Sequence, residues 1–209
     1  MAISSGLNVR VYKGAALGTA MTTEAMTDSG DHLRFRITNR AKRYWDDTAS
    51  FTVYDNGSPA AASGYSIEYP GGEVVFTSSK SGHTITVTGA YFVIDKTYGL
   101  TAADFSMKYQ MEEATQYGDT VSRNYPTVLS AAFNQAGLHE DNTMFGRLGG
   151  KYIAVFCESG VYQAASIDSG RRYEFYARLV NQKMPSGAKG VLRDTLALVN
   201  EGMVYYRSD

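Results

Sequence analysis

In segment after segment of this chain the apolar residues fall on every second position, the period of a strand and not of a helix. Leu33, Phe35 and Ile37 alternate with Arg34, Arg36 and Thr38, which makes one apolar face and one wet face. Phe105, Met107, Tyr109 and Met111 alternate with Ser106, Lys108, Gln110 and Glu112 in the same way. Turn chemistry separates such segments. A strand at Phe51 to Tyr54 runs into Asn56-Gly57, residues that accept positive φ. Tyr65, Ile67 and Tyr69 alternate with Ser66 and Glu68, break at Pro70-Gly71-Gly72 and resume at Glu73 to Phe76, a hairpin pattern. Ser81-Gly82 then leads into TITVTGAYFVI, where Ile85 and Val87 share a face. The 16 Tyr and 9 Phe fit this reading, because aromatic rings pack well on pleated surfaces.

Near residue 95 the texture changes. In DKTYGLTAADF, Thr101 is followed three residues later by Asp104, which predicts one helical turn and a division into an N-terminal β-rich module, 1–95, and a second β domain, 96–209. One continuous domain is the alternative. Strands at Phe105 to Met111 and at Thr127 to Phe133 follow, joined by a long polar stretch from Glu112 to Tyr125. Asp141 or Asn142 can cap a short helix through Leu148, ended by Gly149-Gly150. KYIAVFC is apolar on both faces and reads as a covered strand. In RRYEFYARLV, Tyr173, Phe175, Ala177 and Leu179 alternate against Arg172, Glu174, Tyr176 and Arg178. Gly190 to Val199 reads as a strand, with a helix through Leu192, Leu196 and Val199 as the alternative, and Met203 to Arg207 forms another strand.

Few residues of the sequence are spaced for chemistry. His32, His83 and His139 lack the spacing of a metal face. The adjacent pairs Asp46-Asp47 and Glu112-Glu113 point to opposite sides of a strand and cannot act together as acid and base unless the backbone turns there. A single cysteine, Cys157, excludes an internal disulfide and reads as a buried, unreactive thiol in an apolar strand. No GxSxG elbow, P-loop or GxGxxG occurs after a strand. The sequence therefore nominates no catalytic residue, no cofactor and no metal. Arg40, Lys42 and Arg43 beside Tyr44 and Trp45 read as a solvated turn with a packed tryptophan. A net charge of -1 with a pI near 6.3 gives no basic footprint for specific nucleic-acid binding. No run approaches the roughly 18 apolar residues of a membrane span, so no membrane partner is expected. The opening MAISSGLNVRVYK has no leader pattern, which points to synthesis in a cytoplasm.

The order FSMKYQM, long loop, TVLSAAF, DNTMFGRL, KYIAVF, RRYEFYARLVNQKMPSG and KGVLRDTLALVNEG resembles the tail tube proteins, or major tail proteins, of long-tailed bacteriophages. TQYGD is similar to that family's Thr-aromatic-Gly-Asp turn, whereas NYPTV stands where many members have a Pro-Gly pair. The resemblance implies a mainly β subunit, a β-sandwich or half-barrel with one short α-helix and a long inter-strand loop, plus the N-terminal β-rich module. It implies a virion protein made in the host bacterial cytoplasm, whose copies form hexameric rings stacked into a hollow tube. The partners so implied are further copies of the chain, the tape measure, tail terminator and tail-tip or baseplate proteins, and double-stranded DNA that passes without specific binding. Thr115, Gln116, Tyr117, Gly118, Asp119, Val121, Arg123, Asn124 and Tyr125 would then form the loop that links subunits and rings. Two other readings stay open: another virion decoration or carbohydrate-binding β module, using exposed aromatics of the first half, and a small hydrolase whose carboxylates come from distant segments.

Overall fold

The alternating segments become strands of two seven-stranded antiparallel sheets. The structure is a computed structural model that describes residues 9–14, 18–96, 100–113, 124–138, 151–157, 172–183 and 193–207. In chain order the strands are β1 (Val9–Gly14), β2 (Thr19–Asp28), β3 (Arg34–Ile37), β4 (Thr52–Asp55), β5 (Ser58–Pro59), β6 (Tyr65–Glu68) and β7 (Glu73–Phe76). They continue with β8 (Ile85–Tyr91), β9 (Ile94–Lys96), β10 (Leu100–Glu113), β11 (Asn124–Leu138), β12 (Lys151–Cys157), β13 (Arg172–Lys183) and β14 (Arg193–Arg207). The fold is mainly β. Helical structure among the described residues is limited to two short 3-10 turns, Arg40–Lys42 and Ala62–Gly64.

The first sheet, ordered β5-β4-β8-β2-β3-β7-β6, follows the period-2 pattern closely. Phe35 and Ile37 are buried while Arg34 and Arg36 are half-buried, and Ile85 and Val87 join them in one core with Met21, Trp45, Val53, Val74 and Phe76. Phe35 meets Phe76 edge-on at 5.7 Å, and Trp45 stacks on Phe51 at 5.1 Å, geometries that add to the burial of apolar area. The turn between β4 and β5 uses Asn56 and Gly57 at φ 49° and 82°. Between β6 and β7 the chain reverses through Gly71 and Gly72 at φ 98° and 65°, and Glu68 ends up opposite Glu73.

The second sheet is a curled half-barrel ordered β10-β11-β14-β13-β12-β1-β9. The chain contributes β1 to it, leaves to build the whole first sheet, and returns with β9. Those two strands pair side by side, Tyr12 with Lys96 and Gly14 with Ile94. The division expected at residues 95 and 96 thus falls inside β9. The helical turn expected at Thr101 to Asp104 is instead part of β10, with Ala102 opposite Ala136 and Asp104 opposite Asn134. A cap-like pair is a local signal, and fourteen residues of strand pairing override it. The segments expected at Gly190 to Val199 and Met203 to Arg207 meet in one fifteen-residue strand, β14, whose edges pair with β11 and β13. Gly202, at φ 82°, marks the bulge where the register against β13 slips between Glu174 and Tyr176. The helix expected from Asp141 or Asn142 to Leu148 lies outside the described residues.

The two sheets meet along one face of β13. Glu174 and Tyr176 occupy the face expected to be wet, yet both are buried, because the first sheet covers them. The Tyr176 hydroxyl donates to the Trp45 carbonyl at 2.5 Å, and its ring meets Phe92 edge-on at 6.1 Å. Burial, with Asp47 adding to it, pushes the Tyr176 hydroxyl well above the usual tyrosine range, so it stays a proton donor. Of the solvated turn with a packed tryptophan expected at Arg40 to Trp45, Trp45 is buried as expected and Arg40, Ala41 and Lys42 keep contact with solvent, but Arg43 and Tyr44 are corrected: both are fully buried.

Candidate assembly surfaces and the ion-pair seam

The first candidate site is the long hairpin. β10 pairs with β11 from Leu100 opposite Gly137 to Glu113 opposite Asn124, and Tyr125 faces Glu112. Asn124 and Tyr125, expected in the loop, therefore belong to β11. Thr115, Gln116, Tyr117, Gly118, Asp119, Val121 and Arg123 lie outside the described residues. Pairing of β11 with β14 begins only at Ala132. Residues 124–131 thus have β10 as their one strand partner among the described residues, over about 27 Å of strand at roughly 3.4 Å per residue. Along this ribbon the register sets Phe105 against Phe133, Met107 against Ala131 and Tyr109 against Leu129, so the apolar positions of both strands coincide. Ser106 and Lys108, on the alternate positions, are exposed. A two-stranded ribbon is marginal in water by itself, and its open edges are templates for another strand.

The second candidate is the seam itself, which no local pattern in the sequence announced. Arg207, in the last turn-free stretch of β14, donates from Nε to Glu174 Oε2 at 2.7 Å and from Nη2 to the Pro70 carbonyl at 2.8 Å. Its Nη1 lies 2.7 Å from Glu73 Oε2 and its Nη2 3.1 Å from Glu68 Oε2. Arg34 Nη1 reaches Glu68 at 2.8 Å and Glu73 at 2.6 Å, and Arg36 Nε lies 3.1 Å from Glu73 Oε1. Three guanidinium groups thus balance three carboxylates drawn from both sheets. Glu73 and Glu174 are fully buried, and the Arg207 side chain is 4% exposed. Burial pulls the Arg207 guanidinium toward neutrality, but Glu174, Glu73 and Glu68 outweigh it and raise its pKa above the usual arginine value. Gly71 is what lets the side chain in: a Cβ there would stand 2.6 Å from Arg207 Nη2.

Several further polar residues among the described ones are paired with side chains or backbone nearby in space. His32 pairs with Asp28, His83 Nδ1 lies 2.6 Å from Asp55 Oδ1, and His139 lies outside the described residues. Asp46 is buried and accepts from the Gly18 and Thr48 amides and from the Thr48 hydroxyl at 2.6 Å, which makes it a loop-organising group. Asp28 and Asp31 play the same part before β3, accepting from the Gly30, His32, Leu33 and Arg34 amides. No group of three or more His, Cys, Asp or Glu among the described residues is arranged to hold a metal ion. Cys157 ends β12 opposite Arg172.

Two solved structures are similar to this chain over part of its length. One is titled the virion of a native gene transfer agent particle, at 14% identity and a TM-score of 0.40, covering 55% of this chain and 89% of that one. The other is the tail of an empty gene transfer agent particle with C6 symmetry, at 14% identity and a TM-score of 0.40, covering 56% and 87%. No protein-family model matches the chain, and no curated protein matches it.

Proposed function

We propose that this chain is a structural, non-catalytic subunit of a phage-type tail, and that its copies associate through the β10–β11 ribbon into rings, six to a ring, that stack into a hollow tube for DNA. The observation that carries the reading is the ribbon: eight residues of β11 beyond the last β14 pairing have only their hairpin partner among the described residues, and such an edge is completed by another copy. The order of segments in the second half of the sequence, which resembles that of tail tube proteins, supports the same reading. Tape-measure, terminator and tail-tip or baseplate proteins are the further partners it implies, in a virion assembled in the host bacterium. A charge of -1 suits a wall along which DNA slides without sticking.

The test is assembly. Purified protein at rising concentration is expected to form rings or tubes with a central hole in negative-stain images. Replacing 115–123 by a short Gly/Ser linker should leave the thermal melt nearly unchanged, because closure entropy varies slowly with length, and should abolish stacking. A protein that stays monomeric across concentration and salt, or a linker variant that still builds normal tubes, overturns the reading.

A further inference from the structure

At one end of the first sheet, away from the seam, three loops enclose a surface depression of about 390 Å³. They are the β4–β5 turn, the 3-10 turn at Ala62–Gly64 and the segment between β7 and β8. The volume falls within the roughly 300–1,000 Å³ of small-molecule sites. Its chemistry centres on Asp55, whose Oδ2 lies 3.0 Å from Lys80 Nζ and whose Oδ1 lies 2.6 Å from His83 Nδ1. Burial raises the Asp55 pKa, but the bonds from Lys80 and His83 outweigh it, so the group is an anion at neutral pH. Lys80 is held over the ring of Phe76 at 5.2 Å, which fixes the ammonium beside the depression. Ser58 and Ser78 add exposed hydroxyls to the lining, and Pro59 and Ala60 add a C–H surface.

We propose that this depression binds a neutral saccharide residue. The Asp55 carboxylate and the Lys80 ammonium, 3.0 Å apart, offset each other, so this pair gives neither an anion nor a cation net attraction. A vicinal diol does gain. One hydroxyl can donate to Asp55 while accepting from Lys80, its neighbour can bond His83 or a serine, and the apolar side of the sugar ring lies on Pro59 and Ala60. No aromatic ring is exposed in the lining, since Phe76 is buried, so affinity rests on these polar bonds and a dissociation constant on the order of 1 mM is expected. The lining shares no residue with the β10–β11 ribbon.

The experiment is saturation-transfer difference NMR on the intact chain, a method that tolerates assembly. The probes are methyl glycosides of glucose, galactose, mannose and N-acetylglucosamine, each at roughly ten times a 1 mM dissociation constant. At least one should give transfer from the wild type. Asp55→Asn should weaken that binding tenfold or more, the usual range for losing a charged hydrogen bond. Ser78→Trp, which fills the depression and leaves the Asp55 pair intact, should abolish it, with the thermal midpoint confirming that each variant is folded. Silence from all four glycosides, or equal transfer in the wild type and a folded Ser78→Trp variant, overturns the proposal.

Discussion

Replacing Arg207 with methionine keeps most of the side-chain volume and removes one of three positive charges at the seam. Glu73 keeps Arg34 at 2.6 Å and Arg36 at 3.1 Å, and Glu68 keeps Arg34 at 2.8 Å. Glu174 loses its 2.7 Å pair, the Pro70 carbonyl loses its donor, and the six groups change from balanced to one net negative charge in a site where both Glu73 and Glu174 are fully buried. Breaking a buried pair from one side costs about 3–5 kcal/mol, a large part of the roughly 5–15 kcal/mol that holds an ordinary domain. The control is Arg178→Met, which breaks the 2.5 Å pair with Glu201 where the two side chains are 51% and 30% exposed, and which should cost at most about 1 kcal/mol. Urea unfolding of dilute protein can be followed by fluorescence of Trp45, the only tryptophan, which is buried at the same seam. Adding Glu174→Gln to Arg207→Met should recover about 1 kcal/mol or more, because it restores the charge balance. If Arg207→Met costs no more than Arg178→Met, the seam is not held by these charges and the reasoning fails.

Gly71 and Gly30 offer a matched pair, at φ 98° and 100°. Alanine at Gly30 meets nothing within 4 Å, whereas at Gly71 it meets Arg207 Nη2 at 2.6 Å and Glu174 Oε2 at 2.9 Å, so Gly71→Ala should exceed Gly30→Ala in destabilisation by about 1 kcal/mol or more; equal losses in chemical denaturation would remove the close approach as a cause. The Asp28 carboxyl is held below its ordinary value first by the Gly30 amide and then by His32. A lowered folded pKa stabilises above the unfolded value, near 3.9, and that contribution disappears as pH falls through the folded one. The urea midpoints of wild type and Asp28→Asn should therefore differ at neutral pH and converge below about pH 4; a gap that stays constant down to roughly pH 2 contradicts the assignment.

Elements whose signal is local were readable from the sequence. Strands β3, β4, β6, β7 and β8 follow from two-residue alternation and from turns at Asn56-Gly57 and Gly71-Gly72, because both depend only on neighbours in the chain. What failed to show is what arrives from far away. Tyr176 looks like part of a wet face until Trp45, some 130 residues earlier, meets it, and Glu174 does so until Arg207 and the turn at Gly71 close over it; Arg43, which looks solvated in the sequence, is likewise buried. Thr101 and Asp104 imitate a cap because nothing nearby reveals that Ala136 and Asn134 will pair with that stretch. Of the candidate loop, only Asn124 and Tyr125 are among the described residues, and alternation through Tyr125 could have extended β11 to them but for Pro126, which reads as a stop.

The pairing of β1 with β9 makes an unusual hairpin, since the connection between Gly14 and Ile94 is an entire seven-stranded sheet. Closing residues 15–93 as random chain would cost roughly 2–3 kcal/mol more entropy than closing a four-residue turn. The inserted sheet removes that handicap by its own construction, because its terminal strands β2 and β8 set Thr19 directly opposite Tyr91. Once it has folded, its two ends leave side by side, a strand spacing apart, and β1 and β9 meet as the flanks of a tight turn would. The inserted sheet thus turns a pairing that is distant in sequence into one that is short in space, and the loop-closure cost of joining β1 to β9 falls to that of a tight turn once the sheet is in place.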